Sequence, residues 1–256
     1  MKDNIKIIFE NQDFAVLSKP AGLPVHGDGK AKFETLVDFV LEKWPEIEGV
    51  GEDAFLSGVS VKRPGIVHRL DKDTSGIILI AKNQHSFEYF KNVFKIHQID
   101  KVYEAFVYGW PKEDEDVINV DIGRSSSDIR KWTSGRGKRG TLRTAITYYR
   151  VLSRIDKRSK PVEQKDRIGG NTQEGTFAHL SLSPKTGRTH QLRVHLSYIN
   201  HAIVSDSLYA SKREKALGFD RLALHAKDLS FVGPDGKDYS FSAPYPEDFE
   251  KAIKSL

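Results

Sequence analysis

The run His68-Arg69-Leu70-Asp71-Lys72-Asp73-Thr74-Ser75 offers an imidazole, a guanidinium and two carboxylates just ahead of an apolar stretch, Gly76–Ala81. Loops that enter buried strands commonly display catalytic side chains. Asp73, Thr74 and Ser75 read first as an ordinary turn whose side chains bond backbone amides. Asp71 is different. It sits beside Leu70 and ahead of the apolar strand, so partial burial is expected, and a buried carboxylate needs a partner.

A second constellation runs Pro184-Lys185-Thr186-Gly187-Arg188-Thr189-His190-Gln191-Leu192-Arg193-Val194-His195. Pro-Lys-Thr-Gly predicts a turn, with a helix starting near Arg188–Thr189 and Thr189 as its cap. Leu192 and Leu196 are expected in the core. Arg193, between Leu192 and Val194, is placed to reach inward toward a carboxylate. His190 and His195 fall roughly 140° apart on a helix, unlike an i,i+4 zinc pair, so no metal site is expected. The third constellation is Lys101-Val102-Tyr103-Glu104-Ala105-Phe106-Val107-Tyr108-Gly109. Here Tyr103 serves either sheet packing or as a flat surface for a flipped-out base.

Several elements must position these residues. Ile5–Glu10 and Phe14–Ser18 read as strands joined by a short turn. Phe33–Trp44 and Gln84–Ile96 carry apolar residues at helical spacing. Gly76–Ala81 reads as a fully buried strand. Val102–Val107, Ala145–Leu152 and Thr176–Leu182 follow as strands, with Asp156–Gly175 a surface loop or hairpin tip. Thr189–Tyr198 reads as a helix, and Leu222–His225 and Asp228–Val232 as late strands. Strands and helices intermix without a βαβ repeat. This predicts an α+β fold with a mixed, largely antiparallel central sheet flanked by helices. No linker divides the 256 residues, so a single domain over 1–256 is expected.

Composition narrows the chemistry. The chain has no cysteine, which excludes disulfides, thiolate metal sites and cysteine nucleophiles. No P-loop or dinucleotide fingerprint is present. No apolar run is long enough for a membrane span and no secretory leader is evident, so a cytoplasmic protein is expected. Net charge is a mild +5. Its distribution says more. Between Arg124 and Arg143 lie Arg124, Arg130, Lys131, Arg136, Lys138, Arg139 and Arg143 against one acid, Asp128, with Trp132 among them. That stretch is a solvated loop or a mobile arm lying along phosphates.

These segments together resemble the RluA family of pseudouridine synthases. Lys19-Pro20-Ala21-Gly22-Leu23-Pro24-Val25-His26 is similar to the family's first motif. His68-Arg69-Leu70-Asp71 with Thr74-Ser75-Gly76 is similar to its catalytic motif, and Lys101-Val102-Tyr103 to its tyrosine strand. Thr186–His195 resembles its late arginine motif, and Leu222-Ala223-Leu224-His225-Ala226 its closing hydrophobic motif. Order and spacing agree across nearly the whole chain.

The resemblance implies the pseudouridine synthase catalytic fold and a set of roles. Asp71 is the nucleophile. Tyr103 stacks on the target uracil and helps remove a proton late in the reaction. Arg193 pairs with Asp71, Leu224 forms a wall near the base, and Arg69 fills the gap left by the flipped nucleotide. His68 and Arg188 join the RNA contacts, while Lys19, Pro20, Gly22 and His26 support the pocket. The reaction breaks N1–C1′ and joins C5 to C1′ with no net gain of atoms, so no cofactor or metal is implied. The partner implied is a tRNA or large-subunit rRNA stem-loop, and a monomer is the default expectation for the protein.

Two departures from the family are visible. Ser205-Asp206 stands where relatives often have Gly-Asp. Serine resists positive φ, so this loop is expected to be shaped differently. The first strand begins near Ile5, which leaves no room for the N-terminal S4 domain of many relatives and resembles the compact branch. RNA must then be held by the catalytic domain itself, which points to Lys131, Arg136, Lys138 and Arg139. Two other readings compete: a non-catalytic RNA-binding or ribosome-assembly protein on the same fold, and a glycosidase, which needs two carboxylates about 5–10 Å apart.

Overall fold

The structure, a computed structural model, describes residues 2–27, 33–56, 58–135, 137–157 and 175–255. In chain order its elements are β1 (Lys6–Glu10), β2 (Phe14–Lys19), α1 (Leu36–Lys43), β3 (Ala54–Leu56), β4 (Val59–Val61), β5 (Ser75–Ala81), α2 (Gln84–Lys95) and β6 (Asp100–Tyr108). There follow β7 (Glu115–Asn119), β8 (Ile122–Ser125), β9 (Trp132–Thr133), β10 (Lys138–Arg143), β11 (Ile146–Asp156) and β12 (Thr176–Pro184). The last are α3 (Gln191–Tyr198), β13 (Leu224–Val232), β14 (Asp238–Ser242) and α4 (Glu247–Lys254). The chain forms two compact units, each built from two separate stretches: Met1–Lys101 with His225–Pro246, and Val102–Leu224 with Glu247–Leu256.

In the first unit, β1, β2, β5 and β13 lie side by side, and β14 pairs with β13. The β1–β2, β2–β5 and β13–β14 pairs are antiparallel, while β5 and β13 run parallel through Ser75↔His225 and Gly76↔Ala226. Strand β5 is buried along its whole length, as its unbroken apolar run predicts. Gly76 is demanded where β5 meets β13. Its φ is +113°, and a Cβ there would lie 2.1 Å from the Ala226 carbonyl oxygen. Helix α2 buries Phe87, Phe90 and Val93 and starts with a capping box between Asn83 and Ser86. Phe90 meets Phe14 and Phe231 edge to face, at centroid distances of 5.4 and 5.2 Å. Such pairs contribute beyond their buried area.

In the second unit, β6, β12, β11 and β7 form an antiparallel sheet in that order. Phe106, Phe219 and Phe249 fill the core beside it, with centroids 5.1–5.5 Å apart. The basic stretch is neither a loop nor an arm. It folds into a three-stranded sheet, β10-β8-β9, whose Ile122 and Trp132 pack with Val194 of α3 and with Tyr209. Exposed cations hid this sheet because its apolar anchors are few and widely spaced. The two expected late strands are one, β13. The expected loop between Asp156 and Gly175 falls largely on 158–174, outside the described residues, as does Arg136. No helix among the described residues is long and apolar enough to cross a membrane.

Candidate active site

In the first unit the segment from Gly65 to Gly76 is fixed at both ends by glycines. Gly65 adopts φ +67°, and a Cβ there would lie 2.3 Å from the Ala81 carbonyl oxygen. Ile66 bridges to Ile80, so the segment begins alongside β5. His68 then ties it down. Its Nε2 accepts a hydrogen bond from the Leu79 backbone N–H at 2.9 Å, and its ring stacks on Phe94 at 4.5 Å. An accepting Nε2 carries no proton, so the imidazole is neutral. Burial, with the charge of Lys101 adding to it, pushes the His68 pKa down to about 3.

Leu70 is buried and Asp71 is partly exposed. The chain turns immediately after it, the Thr74 N–H bonding the Asp71 carbonyl at 3.1 Å. The next carbonyl, that of Lys72, accepts from the Gly22 N–H at 2.9 Å and from the Lys19 ammonium at 3.1 Å. Lys19 is buried and donates also to the carbonyls of Pro20 and Leu23. The Lys19–Gly22 segment therefore braces the backbone that carries Asp71. Lys72 and Asp73 are exposed. Ser75 departs from the simple turn reading, since its Oγ lies 2.9 Å from Nδ1 of buried His225. Arg69 points its Nη1 at Nε2 of His26, 3.2 Å away.

In the second unit Arg193 sits on α3. Its Nε and Nη2 donate in parallel to the two carboxylate oxygens of Asp206, both at 2.8 Å. Asp206 is buried and accepts further from the N–H groups of Leu208 and Tyr209. Burial alone would raise its pKa. The hydrogen bonds and charge of Arg193, with the two backbone donors, outweigh this and hold the carboxyl below its ordinary value. The guanidinium lies 5.0 Å from the Tyr209 ring. The Tyr209 hydroxyl is 3.0 Å from His190 Nδ1 and accepts from the Trp132 N–H at 3.0 Å. Trp132 in turn carries the Arg124 guanidinium 4.7 Å from its ring. One continuous set of contacts thus joins the basic sheet to Arg193.

Two expectations about this helix and one about the loop at Ser205 need correction. It starts at Gln191, and its cap is His190 at φ +55° with no side-chain hydrogen bond, not Thr189. Gln191 instead ties the helix start to the preceding turn and to β11. Its Oε1 accepts from the Thr186 hydroxyl and the Arg188 N–H, and its Nε2 donates to the Ile146 carbonyl and to Thr147 Oγ1. Ser205, expected to reshape its loop, adopts φ +57° as a glycine would. Its Oγ donates to the Phe219 carbonyl at 2.7 Å, which offsets part of the strain.

His195 is fully buried between Thr147 Oγ1 and the Val120 carbonyl. Among the described residues no group of three or more His, Cys, Asp or Glu is placed to hold a metal ion. Tyr103 is half-buried on β6 opposite Leu182. Leu224 is buried at the start of β13. Arg188 donates from Nε to the Thr144 carbonyl at 3.1 Å. Arg130 is spent on Asp128, whose pKa falls to about 2 through the hydrogen bonds from the Arg130 side chain and backbone. Lys131 is partly buried after that pair, and Lys138 and Arg139 lie on β10, with Arg139 exposed. Sequence reasoning met Asp206 only as part of the Ser205-Asp206 pair and gave it no role; a further signal was its place as a lone acid within the mostly apolar run Ala202–Ala210.

Residues 13–198 match the family model described as RNA pseudouridylate synthase. An uncharacterized RNA pseudouridine synthase of Synechocystis sp. is 33% identical over 253 residues, covering 98% of this chain and 69% of that protein. The ribosomal large subunit pseudouridine synthase D of Zymomonas mobilis is 33% identical over 263 residues, covering 98% and 73%. A solved structure, human RNA pseudouridylate synthase domain containing 1, superposes with a TM-score of 0.71 at 25% identity, covering 96% of this chain and 85% of that one.

Proposed function

The chain belongs to the RNA pseudouridylate synthase family, and from that premise we propose that it isomerises specific uridines in structured RNA, in a tRNA or large-subunit rRNA stem-loop, with Asp71 as nucleophile. In this reading Tyr103 is the platform for the flipped base. Arg193 is the cation that keeps the nucleophile ionised, as a carboxylate nucleophile requires. Leu224 is the apolar wall. Arg69 and Arg188 belong to the RNA-facing set, together with Lys131, Arg136, Lys138 and Arg139, while His68, expected among them, instead holds the loop from within, and the enzyme acts as a monomer.

One observation carries the nucleophile assignment. Asp71 is partly exposed on a backbone fixed from several directions: by Gly65 and His68 before it, and by Lys19, Gly22 and Gly76 around and after it. Preorganisation of this kind is what a nucleophile needs. The large-subunit substrate is supported by the name of the Zymomonas relative.

The test is tritium release from C5 of uridine in tRNA and rRNA transcripts. Release is expected from the wild-type protein. Asp71→Asn should lose turnover by at least about 10³-fold while binding RNA nearly as well. Turnover retained in Asp71→Asn would remove the nucleophile assignment.

A further inference from the structure

The first unit holds two arginines, and the reading above gives a role to Arg69 alone. Arg63 is half-buried, and among the described residues its buried Nε has no hydrogen-bond partner. Arg69, exposed, follows six residues later, and its positive charge adds to the burial that disfavours the charged form of Arg63. Among the described residues neither arginine is in an ion pair.

His26 stands with them. Its Nδ1 lies 2.8 Å from the Gly27 carbonyl, to which it donates, which leaves Nε2 to accept from Arg69 at 3.2 Å. That ring is therefore the neutral tautomer, and burial together with the charges of Arg63 and Arg69 keeps it so. It orients one guanidinium without neutralising it.

A guanidinium does not shed its proton to escape burial. Two like charges near each other, one with an unsatisfied buried N–H, are costly alone and become favourable around an anion. Planar guanidinium forks match the paired oxygens of a phosphate.

We propose that Arg63 and Arg69, with His26 orienting Arg69, form a binding site for one phosphodiester of the RNA substrate. The proposal rests on the RNA-substrate reading for the identity of the anion. The anion site itself does not.

The experiment measures binding of a uridine-containing stem-loop RNA at several salt concentrations by fluorescence anisotropy. Removing one phosphate-binding cation should lower the slope of log K against log salt by about one. Arg63→Gln and Arg69→Gln should each do so. Arg63→Lys, which keeps the charge but lacks Nε, should keep the slope and bind several-fold more weakly. Lys62→Gln, an exposed neighbour paired with Glu48, should match the wild type. Wild-type slopes in Arg63→Gln and Arg69→Gln would overturn the proposal, as would an equal drop in Lys62→Gln. If Arg63→Gln does not fold, the Arg69→Gln slope and the Arg63→Lys affinity still decide.

Inorganic phosphate supplies the second arm. It should raise the Tm of the wild type and not of the Arg63 variants. Protection by phosphate with unchanged RNA slopes would mean a site for the free anion, and would also overturn the phosphodiester assignment. A reduced slope in Arg63→Gln and Arg69→Gln, when the wild type releases no tritium, would leave this site standing and remove the isomerase reading instead.

Discussion

Arg193 and Asp206 are joined by a two-point guanidinium–carboxylate fork, 2.8 Å at each contact, with the carboxylate fully buried. Two parallel bonds fix the plane of the guanidinium as well as its position. A guanidinium presents several N–H donors, and this fork uses two of them. The fork therefore aims Arg193 while leaving its charge in place. Asp206 is a positioning residue, and Tyr209 holds the same guanidinium from its face.

Removing one partner should be severe. Asp206→Ala leaves Arg193 charged and partly buried, and the expected loss is about 3–5 kcal/mol, measured by urea unfolding. The pH dependence has a definite sign. The folded pKa lies below the ordinary 3.8, so the contribution is complete above that value and fades as pH falls through the lower folded value. Asp206→Asn should flatten the acid limb of the stability curve. An unchanged limb would mean that the pair does not set it.

His68 makes a prediction of the same sign in a higher pH window. Its folded pKa is about 3 against the ordinary 6.5. Between those values the unfolded chain binds a proton that the folded one refuses. Stability is complete above about pH 6.5 and falls as pH drops, by up to about 1.4 kcal/mol per unit from this residue. The ring nitrogens of His68 should show no titration by NMR between about pH 5 and 8. A midpoint near 6.5 would contradict the neutral, Leu79-bonded ring.

Ser205 allows a ranking test. Its left-handed backbone costs about 1–2 kcal/mol, and its bond to the Phe219 carbonyl returns about 1. Ser205→Gly removes both terms and should be close to neutral. Ser205→Ala keeps the strain, loses the bond, and should be about 1 kcal/mol less stable than the glycine variant. Thermal unfolding decides, and the reverse order would show that strain is not the governing term.

Tyr103 separates stacking from proton transfer. Tyr103→Phe keeps the ring and loses the hydroxyl. RNA affinity should stay within about twofold, while turnover falls about 10²–10⁴-fold if the hydroxyl moves a proton. Tyr103→Ala should lose affinity as well, by about 1–3 kcal/mol. Full turnover in Tyr103→Phe would confine Tyr103 to stacking.

Much of the local architecture was legible from spacing. Strand β5, helix α2 and the turn after Asp71 appear where apolar periodicity and turn residues put them. These features depend on neighbours in sequence, as do capping and turn formation. The order of its motifs along the chain also points to its family.

The tertiary structure decided what those residues touch. Asp206 became the partner of Arg193 from thirteen residues away. Gln191, a polar residue at a helix start, proved to be a buried hub. The basic stretch closed into a sheet on Trp132 and Tyr209. The division into two units leaves no linker to read, because each unit draws on two separate stretches of chain. For Arg193 with Asp206 and for Gln191 with Thr147, the deciding energy is that of burying a polar group or charge with a partner distant in sequence. Residue type and spacing determined which groups this protein brings to its chemistry. Only folding determined which partners hold them, since a hydrogen bond between distant residues leaves no period in the chain.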